Sequence, residues 1–381
     1  MEERRLILAF ALSFAVLMGF RLWTNSRYPQ TPAPTARATA PVTTAQTPAP
    51  PTVATPGASP SSLAPLVSGE ERRVELTIPG AEIAFSSRGA RLLSWRLLEY
   101  KDARGKELQA HPGGNPVPGP LDLVTGRTDI DKVLAAALFK ATESTDGGER
   151  TLTFEFSDGL LSATKTIRSI RGQRSFLVDA RVTQNGNPVP VTVTWGPGFG
   201  QPSEEEKSLR GYLAPEVVGV DEAGAETRLP PTALTARRTG KFSLLGVENK
   251  YFAAIFSRED GRAVDAIADI VGQGAEAQVL VFVTPPVALT VGAKDYDRLK
   301  AIGLGGEKIV PVGSWLGPIV VPLTRALRAV NARVGNFGVA IILLTLLISL
   351  ALSPLRHYSI VSSAKMAKVG PQIRSVQERY K

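Results

Sequence analysis

The sequence predicts a multi-part membrane protein, an all-β sandwich carried between two transmembrane α-helices with an amphipathic interfacial helix ahead of the second. Three observations predict it. An apolar run near each end is long enough to cross a bilayer, the residues between alternate with the period of strands, and a proline-rich stretch separates the first run from those strands.

Residues 1–5 carry Arg4 and Arg5 and form a short cytoplasmic N-terminus. Residues 6–24 are apolar except for Arg21, whose long side chain can lift its charge to the headgroups while Trp23 marks the interface. A signal peptide has the same order of basic residues, apolar core and exit, and Ala38 and Ala40 follow downstream. The run is longer than a signal core and has no small-x-small site directly after it, which favours an uncleaved anchor. Residues 25–66 hold ten prolines from Pro29 to Pro65, with Arg27 and Arg37 as the charges. Such a composition cannot bury enough apolar surface to offset chain entropy, so an extended, disordered linker is expected.

Residues 67–300 read as one β-sandwich. Period-two runs rich in β-branched and aromatic residues fall at 74–78, 151–156, 176–182, 190–195, 251–256 and 279–284. Asp146-Gly147-Gly148, Asp158-Gly159 and Asn185-Gly186 supply turns between them, and the last suits a type I′ hairpin. A domain of this size can bury a core without disulfides, and the chain has no cysteine to form them or to offer thiolate ligands.

Residues 301–334 form a linker and an amphipathic helix. Trp315, Ile319, Leu323, Leu327, Val330 and Val334 recur every three or four residues, with Arg325, Arg328 and Asn331 on another face. Placed before a span, this helix is expected to lie in the interface, packing on the sandwich being the alternative. Pro318 and Pro322 are expected to confine regular helix to the part after Pro322. Residues 335–355 are the second span, uncharged from Val339 to Leu352 and interrupted at Pro354. Residues 356–381 carry Arg356, Lys365, Lys368, Arg374, Arg379 and Lys381 against Glu378, which places them in the cytoplasm as the start of a basic helical loop. Both ends are then cytoplasmic and the sandwich lies across the membrane.

The net charge of +9 raises a nucleic-acid reading. Much of the excess, however, sits beside a span, where anionic lipid or ribosomal RNA is the physical counterpart and DNA is not. His111 and His357 are the only histidines and fall on opposite sides of the membrane, so no paired histidine site for metal or acid-base chemistry is expected. Glu204-Glu205-Glu206 reads as a solvated loop, and Gly303-Leu304-Gly305-Gly306 lacks the lysine of a phosphate loop. The expectation is a protein that is not an enzyme and uses no cofactor and no metal.

Gly335-Asn336-Phe337-Gly338-Val339-Ala340-Ile341-Ile342, followed by Thr345, Pro354-Leu355, Ser362, Ala364-Lys365-Met366 and Pro371, resembles the YidC branch of the YidC/Oxa-type membrane insertases of Gram-negative bacteria. Weaker likeness runs through Asn249-Lys250-Tyr251-Phe252-Ala253-Ala254 and Val291-Gly292-Ala293-Lys294. The resemblance implies a bacterial inner-membrane protein with a supersandwich-like periplasmic domain, a fold similar to that of sugar mutarotases. It implies assistance to insertion and folding of nascent membrane proteins, alone or with the Sec translocon and its accessory subunits, near ribosomes and anionic lipids. Asn336, Gly338 and Pro354 would belong to the motif of the second span, Thr345 and Ser349 to a hydrophilic substrate groove, and Lys365, Met366 and Lys368 to the cytoplasmic loop. At Ser349 the family carries a cation that draws polar client segments; a serine there costs little in a span, and its hydroxyl is expected to bond the carbonyl of Thr345. The family also continues beyond this point with further spans that complete the groove, so the chain is expected to be truncated and to lack a full insertase core on its own. Two other readings remain: a tethered periplasmic module that binds carbohydrate or protein without insertase activity, and a docking surface for the Sec machinery.

Overall fold

The computed structural model describes residues 69–102, 105–114, 116–208, 210–311 and 316–379; the first apolar run, the proline-rich linker and Trp315 lie outside these. The smaller of two sheets comprises β1 (Arg73–Ile78), β2 (Ala81–Ser86), β3 (Arg91–Lys101) and β4 (Glu107–Gln109), each antiparallel to the next. Along β1 exposed and buried residues alternate strictly, as a strand with one face on a core must.

The larger sheet has fourteen strands. They begin with β5 (Leu123–Val124), and helix α1 (Thr128–Ala136) follows it. Next come β6 (Lys140–Asp146), β7 (Glu149–Ser157), β8 (Leu161–Ser169), β9 (Ser175–Gln184), β10 (Asn187–Val189) and β11 (Thr192–Trp195). After the one-turn helix α2 (Glu204–Ser208) come β12 (Glu216–Asp221), β13 (Glu226–Leu229), β14 (Arg238–Glu248), β15 (Phe252–Ser257), β16 (Val264–Val271), β17 (Gln278–Val283) and β18 (Val287–Ala293). Eleven of them lie in the order β5-β11-β17-β16-β14-β15-β18-β9-β8-β7-β6, and β10, β12 and β13 pair off that path.

Aromatic side chains join the two sheets. Trp95 of β3 stacks on Phe176 of β9 at 5.1 Å and meets Trp195 of β11 edge-on at 5.9 Å, while Phe85 of β2 lies 6.0 Å from Phe154 of β7. Such pairs add about 0.5–1.5 kcal/mol each beyond the apolar area they bury. The β9–β10 hairpin turns on Asn185 and Gly186 with φ of 51° and 79°, the two positive values a type I′ turn requires.

Period two fails in two expected strands, β15 and β17, the latter buried from Val279 to Val283. β15 is buried along its whole length because its outer face is covered as well: Ala253 and Ile255 pack with Leu299 and Ile309 in a second, smaller core. Gly246 of β14 permits the adjoining contact, since a Cβ there would stand 2.0 Å from the carbonyl oxygen of Ala254.

Leu299 belongs to α3 (Tyr296–Ile302) and Ile309 to the 3-10 turn Gly306–Ile309 that follows it. Two long helices complete the chain, α4 (Gly317–Val334) and α5 (Phe337–Arg379). Two expectations need correction. Regular helix in α4 does not wait for Pro322, because Pro318 occupies the first turn, where no N–H is needed, and Pro322 removes a single backbone bond that the helix tolerates. The Glu204 cluster is a helix rather than a loop, closed by a capping box in which Ser203 Oγ accepts from the Glu206 N–H at 3.1 Å and Glu206 Oε2 accepts from the Ser203 N–H at 3.0 Å.

Candidate functional site

The junction of α4 and α5 turns the chain within two residues. Gly335 takes φ 70°, the left-handed conformation that ends a helix, and its N–H donates to the carbonyl of Asn331 at 2.7 Å. Asn336 then begins the next helix, its Oδ1 accepting from the N–H groups of Gly338 at 2.8 Å and Val339 at 3.3 Å. A Cβ on residue 338 would stand 3.2 Å from that same oxygen, so the glycine leaves room for the cap. Ala340 is fully buried at this elbow. Two residues predicted as motif positions of the span, Asn336 and Gly338, therefore act together as a helix start.

Beyond the elbow, residues Phe337–Ser362 form a stretch of 26 residues, with an 18-residue segment of mean hydropathy 2.4, long and apolar enough to cross a membrane. Ile341, Ile342, Leu346, Leu347, Leu350 and Leu355 are all exposed along it. The helix does not stop at Pro354 but continues through it to Arg379. Thr345 and Ser349 lie four residues apart on one face, and Ser353 and Arg356 extend that line. The Thr345 hydroxyl donates to the carbonyl of Ile341 at 2.8 Å. That back-bond was expected of Ser349, whose hydroxyl has no hydrogen-bond partner among the described residues. Pro354 lies five residues beyond Ser349 within the same helix and is exposed. Lys365, Met366 and Lys368 fall within α5, and their side chains lie outside the described residues.

On the other side of the elbow, α4 buries none of its own residues, and Ile319, Leu323 and Val334 are exposed. Two ion pairs tie it to the β-rich body, beside a cleft that Pro318, Val321 and Pro322 share with Tyr296 and Val310. Arg325 Nε lies 3.2 Å from both carboxylate oxygens of Asp297, and Arg328 pairs with Asp295. Asp295 is also the N-cap of α3, accepting from the N–H groups of Asp297 and Arg298. The hydrogen bond from Arg325 holds the Asp297 carboxyl below its ordinary pKa.

Three buried charged groups were not singled out from the sequence, among them Asp122, which accepts from Arg91 Nε at 3.2 Å and Nη2 at 2.8 Å. Lys165 sits at an inward-facing position of β8 and is fully buried, donating to the carbonyls of Ala90 and Leu121 at 2.5 Å each. Burial pushes its pKa down to about 7. A lysine in phase with Leu161, Ala163 and Ile167 was the available signal. Glu248, at the end of β14, is buried against Arg228 and against Lys294, whose Nζ lies 3.2 Å away. Arg228 in turn donates to the carbonyl of Ile309 at 2.7 Å, tying β13 to the turn that leads into α4. Burial raises the Glu248 pKa. His111 is buried, accepting at Nδ1 from the Gly113 N–H at 3.0 Å, and its pKa is lowered by that burial. Among the described residues no cluster of three or more histidine or acidic groups could hold a metal.

The elbow and the apolar helix coincide with the match to the family model "60Kd inner membrane protein", which covers residues 329–381. Over the whole chain, the membrane protein insertase YidC of Anaeromyxobacter dehalogenans (strain 2CP-C) is 31% identical across 403 residues, with 72% of that protein covered. The chain belongs to the YidC family. A second YidC, from Syntrophus aciditrophicus (strain SB), is 27% identical across 418 residues, with all of this chain and 75% of the relative covered. The chain thus spans about three quarters of the length of these YidC relatives. Among solved structures, a galactose mutarotase-like protein from Lactobacillus casei superposes with a TM-score of 0.34 and 12% identity, over 58% of this chain and 100% of that one.

Proposed function

We propose that this chain is a membrane protein insertase of a bacterial inner membrane, lowering the barrier to placing nascent spans in the bilayer without covalent chemistry. The observation that carries this reading is the 31% identity to a YidC insertase along the entire chain. The apolar helix and its capped elbow support it.

In this reading α5 crosses the membrane, α4 lies along the interface with Ile319 and Leu323 toward lipid, and the β-rich body stands in the periplasm. The end of α5 then lies in the cytoplasm, where Lys365, Met366 and Lys368 meet nascent chains, ribosomes or anionic headgroups. Residues 6–24 serve as the first span and residues 25–66 as its tether. An unpaired polar group in hydrocarbon costs several kcal/mol, so a client segment crosses more easily beside groups that can pair with it. Thr345 and Ser349 offer such partners on one face of α5. The Ser349 hydroxyl is the more available, since Thr345 already donates to Ile341. Without a cation at 349, the pull on an acidic client segment is weaker and rests on hydrogen bonding. Action alone or together with the Sec translocon and its accessory subunits is compatible with this arrangement.

The test is a photoreactive side chain placed at Ser349 or, on the opposite face, at Leu347 in the full-length protein in native membranes. Adducts with ribosome-bound nascent membrane proteins are expected at 349 in excess over 347. Equal or absent labelling at both positions would overturn the assignment of this face.

A further inference from the structure

Helix α4 carries Arg325, Arg328 and Arg333 and no acidic residue. Two of these arginines, three residues apart and so on one face, meet two aspartates at the start of α3. The aspartates stand on firm ground. α3 is packed into the β-rich body through Leu299, which is buried with Leu244, Ala253, Ile255 and Ile309, and it is tied to β3 by Arg298, 3.6 Å from Glu99. Asp295 is itself largely buried, its side chain 12% exposed. α4, by contrast, buries none of its residues. Apolar packing therefore locks α3 to the body, while α4, with no fully buried residue, takes its directional contacts to α3 from the two ion pairs.

We infer that Asp295, Asp297, Arg325 and Arg328 form an electrostatic joint that sets the angle of the β-rich body on α4 and opens when its charges are screened or captured. Two matched pairs define an orientation where one would leave a swivel. Because Arg325, Asp297 and Arg328 are about half exposed and only Asp295 is largely buried, the strength of the pairs falls with ionic strength. Guanidinium groups also bind phosphate in the same forked geometry as carboxylate, which makes anionic lipid headgroups the natural competitor. The joint is independent of which client the protein serves, so it stands or falls apart from the insertase reading.

The chain has no cysteine, so spin labels can be placed at Asn187→Cys on the body and Ala332→Cys on α4 in the full-length protein in lipid nanodiscs. Dipolar distance measurement is expected to give one narrow distribution at about 0.01 M salt. It broadens at about 1 M, as the Debye length falls from about 30 to about 3 Å. Arg325→Asp with Arg328→Asp broadens it at low salt, and adding Asp297→Arg, which leaves the Asp295 cap of α3 in place, narrows it again in part. Replacing zwitterionic with anionic lipid broadens the unmodified joint. A width that ignores salt in the protein with native charges, a readout free of any folding defect, would overturn the joint. So would a width unchanged by the double arginine reversal.

Discussion

Lys165→Met tests how the two sheets are fastened. The lysine is fully buried, and its Nζ bonds the carbonyls of Ala90, in the β2–β3 turn, and Leu121, ahead of β5. Both residues hold positive φ, 47° and 62°, which side-chain-bearing residues rarely adopt, so the bonds pin two strained turns. Methionine keeps the length and volume and removes the donors. A neutral amine still has two N–H groups, enough for both carbonyls, so the loss is felt even where the lysine is uncharged. Each orphaned buried carbonyl costs about 1–3 kcal/mol, and the variant is expected to lose about 2 kcal/mol or more at pH 9.

The charge adds a pH signature. The unfolded chain holds this proton up to its ordinary value of 10.5, while the folded protein releases it near 7. Between those values the unfolded state binds more protons, so this group's contribution to stability rises with pH and is absent below about 7. From pH 7 to pH 9 the gain is about 2 kcal/mol, at about 1.4 kcal/mol per unit once the folded form has lost its proton. Urea unfolding of the full-length protein in detergent, followed by fluorescence of buried Trp95 and Trp195, reads both effects. The gap between the parent protein and Lys165→Met is expected to widen across that range. Parallel curves, or a variant as stable as its parent at pH 9, would refute the argument.

Three further outcomes are expected. Asn336→Ala removes the cap on α5 and lowers stability by about 1 kcal/mol, measured as a drop in the thermal midpoint in detergent, whereas Asn336→Asp retains it. Gly246→Ala puts a methyl against the Ala254 carbonyl and separates β14 from β15; protease resistance of the β-rich body is expected to be lost. Arg228→Met leaves Glu248 with Lys294 as its cation and frees the Ile309 carbonyl, a loss of about 3–5 kcal/mol for breaking a buried pair, read by the same urea titration.

Local chemistry determines a large part of this protein. The turn at Asn185-Gly186, the alternation along β1 and the apolar length of α5 follow from φ preferences, strand period and hydrophobic length, which depend on neighbours in sequence alone. The motif around Gly335 and Asn336 pointed to the family for the same reason, since a left-handed glycine followed by an asparagine cap is a local device. Helical spacing likewise put Thr345 and Ser349 on one face.

What the tertiary structure decided are matters of long-range company. Whether position 165 could hold a lysine depended on carbonyls 75 and 44 residues away. β15 lost its period because α3 and the turn at Ile309 cover a face that an isolated hairpin would give to water. The arginines of α4 read as the polar side of an amphipathic helix, and only the placement of α3 turned two of them into partners for Asp295 and Asp297. An ion pair requires both members within a few ångströms, a condition that composition and period do not encode for residues some thirty positions apart.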